Sequence, residues 1–438
     1  MRIDYTITGQ GPLTGRLEVP GDKSISHRAL MLGAVAEGMT QINGFLEGED
    51  TLATLAAFRS MGVSIDHEQP GRVCIHGTGL GGLRAGDGPL YLGNSGTSVR
   101  LLSGLLAGQK FNSELTGDES LTRRPMRRVT EPLREMGADI HCAAGGTLPI
   151  TIHGGRDLSG INYISPVASA QVKSALLLAG LYASGRTCVT EPGLTRDHTE
   201  RMLQYFGVPV ERSGNSVSIS STPLSGRNIE IPADISSAAF FMVGAAIIEG
   251  SDLLLERIGI NPTRSAVIDI LQSMGADIRL ENRRELGGEP VADIRVVYSK
   301  LKGIEIPSAA VSIAMDEFPA LFIAAACAQG STVLKGAAEL RVKESDRITA
   351  MEAGLSALGI RARGLEDGII IAGGRLQGGV TESYGDHRIA MAFTIAGLAA
   401  RGPVTIRDCA NIDTSFPGFA DVLDNLGSPV AMDTVNDG

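Results

Sequence analysis

Tryptophan is absent from the 438 residues, aromatic side chains make up only 4%, and cysteine occurs five times. Cys74, Cys142, Cys188, Cys327 and Cys409 are odd in number, widely spaced and without a C-x-x-C pair. That pattern excludes a disulfide framework or a zinc ribbon and points to a reducing compartment. Positive charge is also short: 39 Lys and Arg against 49 Asp and Glu leave a net charge of -10, a field that repels a nucleic-acid backbone or an anionic membrane. The longest apolar run, Ala238 to Ile248, is far below the roughly 20 residues of a membrane span. The opening MRIDYTITGQG has neither the basic nor the apolar region of a signal peptide, and a cytoplasmic protein without membrane or nucleic-acid partners is expected. No P-loop, H-E-x-x-H or G-x-S-x-G is present. Gly77, Gly79 and Gly82 satisfy G-x-G-x-x-G, but more Gly and Pro follow instead of a helix. No metal site, dinucleotide cofactor or covalent nucleophile is therefore expected.

Glycine is abundant, at 56 residues, and the apolar fraction is an ordinary 43%. Six apolar, charge-poor stretches of helical length run towards Gly38, Gly108, Gly185, Gly250, Gly330 and Gly402, which are 70, 77, 65, 80 and 72 residues apart. A second, amphipathic segment follows each and ends at Gly62, Gly137, Gly207, Gly275, Gly359 or Gly427. Glycine accepts the left-handed conformation that closes a helix, so twelve glycine-capped helices are expected. Alternating stretches such as VCIHG, LPITIHG, VSISS and GIIIAGG read as short strands between them. Six α/β repeats of about 73 residues follow; the period alone leaves one ring and two lobes of three both open.

The six apolar helices begin with polar residues: Lys23, Ser24 and Arg28; Asn94, Ser95, Gly96 and Thr97; Ser169, Ala170 and Gln171; Asp234, Ser236 and Ser237; Asp316 and Glu317; Asp386, His387 and Arg388. Capping accounts for Asp234, Ser236 and Glu317. It does not account for Lys23, Arg28 or Arg388, because a cation at a helix N-terminus opposes the helix dipole. Free N-H groups and cations together make an anion site. GDESLTRRPMRR concentrates Arg123, Arg124, Arg127 and Arg128, three of which are expected on a solvated face, and ELRVKESDR brings Lys343, Glu344 and Arg347 close together. A carboxylate among cations can act as a general acid or base.

GDKSISHRA, LGNSGTSVRLL, RRP at 123–125, SAQVKSALLLAG, DEFPAL, LRVKESDRI and GDHRIAMA resemble the 5-enolpyruvylshikimate-3-phosphate synthase family, in order and over nearly the whole chain. The resemblance implies an α/β (α+β) fold: a two-lobed inside-out α/β barrel of six βαβαββ repeats, three per lobe. Residues 21–234 would form one lobe, on the shikimate 3-phosphate side. Residues 1–20 with 235–438 would form the other, bearing phosphoenolpyruvate binding and the acid-base groups, and the site would lie in the cleft. The implied reaction moves the enolpyruvyl group of phosphoenolpyruvate to the 5-hydroxyl of shikimate 3-phosphate, by addition and elimination, with no cofactor and in a monomer.

By motif position the resemblance assigns shikimate 3-phosphate to Lys23, Ser24, Arg28, Ser169, Ala170, Gln171, Arg196, Asp316 and Lys343. It assigns phosphoenolpyruvate to Lys23, Asn94, Gly96, Arg124, Gln171, Arg347 and Arg388. Asp316 is the implied base and Glu344 the implied acid, with Lys23 supporting charge and proton transfer. Two positions depart from the pattern: Glu339 replaces a common Asn, and Asp413-Thr414-Ser415 lacks a common Lys. GDKS, SAQVK, RDHTE and NPTR resemble the second class of the family, and with Leu101 in place of a common Pro they imply glyphosate tolerance. The related UDP-N-acetylglucosamine enolpyruvyl transferase is disfavoured by SAQVK, RVKES and the lack of a catalytic Cys loop near position 115. A non-catalytic phospho-anion receptor is disfavoured by Asp316 and Glu344.

Overall fold

The computed structural model describes residues 2–9 and 11–435. Its helices and strands repeat one pattern six times. In the second repeat, strand Leu90–Tyr91 leads to helix Gly96–Ala107, strand Ser113–Thr116, helix Arg127–Glu135, and strands Asp139–Cys142 and Ile150–His153. The short first strand pairs in parallel with 113–116, which pairs antiparallel with 150–153, which pairs antiparallel with 139–142. Four other sheets keep this order, and a sixth has three strands, 331–334, 368–372 and 362–365, with Glu305 bridged in parallel to Val333 where the fourth would lie. The first repeat takes its outer strand from 228–230 and the fourth from 14–17, while 2–7 and 431–435 complete the last.

The chain divides into two compact units, one of residues 1–20, 232–284 and 290–438, and one of 21–231 and 285–289. Each has its own apolar core. In the first unit the core contains helices Ile235–Ile247, Phe318–Cys327 and His387–Ala399, and in the second Lys23–Val35, Gly96–Ala107 and Ala170–Gly180. These six are buried over nearly their whole length, as their lack of a polar stripe requires. Among the described residues no helix is long and apolar enough to cross a membrane.

Twelve helices of seven residues or more occur among the described residues, with two four-residue turns of helix at 119–122 and 308–311. The amphipathic six all end in one cap. Gly62, Gly137, Gly207, Gly275, Gly359 and Gly427 have φ between +77° and +100°. Each donates its N-H three residues back, and the next residue donates five back, as in Gly137 to Arg134 and Ala138 to Leu133. This is the Schellman motif. The apolar six end differently from expectation. Gly38, Gly185, Gly250 and Gly330 do have positive φ, but they stand three to five residues beyond the last helical residue, Gly38 already within the next strand. Gly108 is a right-handed C-cap at φ -88°, and Gly402 lies outside the left-handed region.

Candidate active site

The helix starts carry the site residues, and five of the six are capped by their own side chains. Asp22, Ser95, Ser169, Asp234 and Asp386 accept from backbone N-H groups two or three residues on, at 2.9 to 3.4 Å. Glu317 is the exception and corrects the capping expectation. It makes no cap and is fully buried, accepting from Ser236 Oγ with Arg264 Nη2 at 3.6 Å. Ser236 likewise serves this network, which also takes in Asp234.

In the unit of 21–231, Lys23 opens its helix with Nζ 2.5 Å from Asp50 Oδ2. One turn on, Arg28 donates to the Ser24 carbonyl at 2.9 Å, Thr199 Oγ1 at 2.6 Å and Ser174 Oγ at 3.0 Å. Burial holds this guanidinium down to about 10, with Arg196 adding to the effect against Glu200 and Asp22. Asn94 donates to Asp118 at 2.6 Å and accepts from Arg124. Gln171 accepts from Arg100 at 2.8 Å and donates to Thr97 at 3.2 Å. A Cβ on Gly96 would lie 2.7 Å from Arg100 Nη1 and 3.2 Å from Arg124 Nη1, so glycine leaves space that two cations use. Ser169 and Ala170 begin the third helix. Arg123 and Arg127 are solvated, the former paired with Glu119.

In the other unit, Arg347 is completely buried beneath three carboxylates. It donates to Asp386 at 2.8 Å and to Glu344 at 2.6 Å, with Asp316 Oδ1 at 3.5 Å. Burial opposes its charge, but Asp386 and Glu344 outweigh that and its pKa is raised. Burial likewise disfavours the Asp386 anion, yet Arg347 prevails and its pKa is lowered. Lys343 Nζ is 3.6 Å from Asp316 Oδ1, and Arg388 donates to the Asp316 carbonyl at 3.0 Å. Asp316, Lys343, Glu344, Arg347 and Arg388 thus form one cluster. Asp316 and Glu344 keep partial solvent access while Arg347 has none, a set suited to proton transfer beside fixed positive charge.

A match to the family model for EPSP synthase (3-phosphoshikimate 1-carboxyvinyltransferase) covers residues 7–423. The chain belongs to the EPSP synthase family. The chain is 66% identical to the 3-phosphoshikimate 1-carboxyvinyltransferase of Nitrosococcus oceani, over 97% of this chain and 96% of the relative. It is 63% identical to that of Methylococcus capsulatus, over 98% and 99%. A solved EPSP synthase from Acinetobacter baumannii superposes with a TM-score of 0.90 at 56% identity, covering 99% of this chain and all of that one. As an EPSP synthase the chain is an enzyme of the shikimate pathway, transferring the enolpyruvyl group of phosphoenolpyruvate to shikimate 3-phosphate.

Several residues around this EPSP synthase site escaped the sequence reading. Arg100 had a signal, since it follows Gly96 by one helical turn inside LGNSGTSVRLL. Asp50, Ser174, Thr199 and Arg264 come from other elements, and no linear spacing joins them to their partners. Two groups, each spread over an edge strand and its neighbour, have metal-ligand chemistry: Asp66 with Cys74 and His76, and Asp139 with His141 and His153. His76 pairs with Asp66 at 3.3 Å and His141 with Asp139 at 2.7 Å, the His141 ring also meets that of His153 edge-on, and Arg156 holds the second oxygen of Asp139. Cys327 and Cys409 are pushed up to about 12, chiefly by burial, the opposite of an activated nucleophile.

Proposed function

We propose that the two residue clusters divide the enolpyruvyl transfer between them. Lys23, Ser24, Arg28, Ser169, Ala170, Gln171 and Arg196 take shikimate 3-phosphate, with Lys343 and Asp316 from the other unit. Arg124, Arg347 and Arg388 take the phosphate and carboxylate of phosphoenolpyruvate, with Asn94, Gly96, Gln171 and Lys23. The guanidinium fork suits both anions. Asp316 removes the proton of the 5-hydroxyl as its oxygen bonds to C2 of phosphoenolpyruvate, and Glu344 delivers a proton to C3. The Glu344 carboxylate, left by that transfer, then takes a proton back from C3 of the tetrahedral adduct as phosphate is expelled and the double bond is restored. All three proton transfers and the stabilisation of charge fall to side chains, so the reading calls on no metal or cofactor.

The observation that carries the reading is Arg347, held without solvent between Glu344, Asp316 and Asp386. It fixes both candidate proton carriers against one cation. The test is a kinetic split. Arg28→Ala is expected to raise KM for shikimate 3-phosphate, and Glu344→Gln and Asp316→Asn to lower kcat by about 10²–10⁴-fold. Near-normal kcat in either carboxylate variant would remove that assignment. A cytoplasmic monomer is the form proposed, the compartment from the five scattered cysteines and the monomer from the family, and the net charge of -10 argues against nucleic-acid or membrane partners.

A further inference from the structure

His27 belongs to none of the substrate contacts proposed above, yet it is completely buried, one helical turn below Lys23. Its Nδ1 lies 3.0 Å from Thr54 Oγ1 and 3.2 Å from Ser98 Oγ, and its Nε2 lies 3.3 Å from Ser95 Oγ. The hydroxyls are joined in turn: Thr54 to Ser98 at 2.6 Å and Ser98 to Ser95 at 2.7 Å. Ser95 is the cap of helix Gly96–Ala107. Thr54 stands one turn beyond Asp50, the partner of Lys23.

Helices Lys23–Val35 and Glu49–Ser60 are therefore tied by two rungs, Lys23 to Asp50 and His27 to Thr54. The lower rung extends through Ser95 and Ser98 to the helix that begins with Gly96. A neutral imidazole has one donor and one acceptor, and hydroxyls can take either role, so every member can be satisfied. Burial, with Lys23 and Arg28 adding to it against Asp22, holds the ring neutral. We propose that His27 is a positioning residue: through Thr54, Ser95 and Ser98 it sets the spacing of the helix starts that present Lys23 and Gly96 to substrate. This rests on the assignment of Lys23 and Gly96 to the substrates.

The test compares His27→Leu, which keeps bulk and loses both hydrogen bonds, with His27→Gln and with Thr54→Val, which removes one hydroxyl and keeps its shape. His27→Leu should raise KM for phosphoenolpyruvate by about tenfold with kcat changed less than about threefold, the scale of one lost buried hydrogen bond. His27→Gln, which can donate and accept, should recover most of that. Thr54→Val should shift KM in the same direction by a smaller factor, and it decides the matter if His27→Leu does not fold. Unchanged KM in folded His27→Leu or Thr54→Val, with activity lost in Lys23→Met, would overturn the positioning role and leave the site intact. Full activity in Lys23→Met would instead overturn the site assignment itself.

Discussion

Arg347 carries its charge where water does not reach, and Asp386, Glu344 and Asp316 hold it there. Removing one member of a buried pair leaves an uncompensated charge, at a cost of about 3–5 kcal/mol. Asp386→Ala should therefore lower stability by that order and reduce activity, as read by denaturant unfolding; a loss below about 1 kcal/mol would contradict the pairing. Because the pKa of Asp386 is depressed in the folded state, its contribution is fully present above the unfolded carboxylate value of about 3.9 and is lost as pH falls below it. Asp386→Asn should flatten that acid limb. His27 works in another window. Its pKa is lowered by burial and by Lys23 and Arg28, so the unfolded chain binds the extra proton first. Stability should fall as pH drops below about 6.5, and His27→Gln should weaken that slope in the range above 5.

At the scale of elements, the same glycine residue type does two jobs. Gly427 ends its helix at φ +77° with nothing within 4 Å of a built Cβ, so Gly427→Ala should cost only the left-handed penalty of about 1–2 kcal/mol. Gly104 lies inside helix Gly96–Ala107 with ordinary helical backbone, but a Cβ there would stand 2.0 Å from the Ala175 carbonyl oxygen. Gly104→Ala should push apart helices Gly96–Ala107 and Ala170–Gly180 and reduce activity as well as Tm, whereas Gly427→Ala should lower Tm alone. Equal effects on kcat would contradict the distinction. This difference shows what was legible in the sequence. The six second-helix glycines could be recognised because the Schellman cap is a local device of consecutive residues. Gly104 could not, because the backbone it accommodates comes from 71 residues away.

On the scale of the molecule, the period of the apolar helices was enough to find six repeats, since each must bury a helix without a polar face. Exchanged strands were not legible in it: 228–230 completes the first repeat's sheet and 14–17 the fourth's, and strand pairing over such separations leaves no mark on local pattern. The site behaves in the same way. Lys23, Arg28, Asp316, Glu344 and Arg388 stood out as charges out of place at helix starts or in dense clusters. Asp50, Thr54, Thr199 and His27 did not, because polar residues on helices read as surface until the fold buries them. Phosphate release from phosphoenolpyruvate by the purified chain, with shikimate 3-phosphate or UDP-N-acetylglucosamine as acceptor, tests the whole account most directly. Release is predicted only with shikimate 3-phosphate; release only with the nucleotide sugar, or tight binding of shikimate 3-phosphate without release, would contradict it.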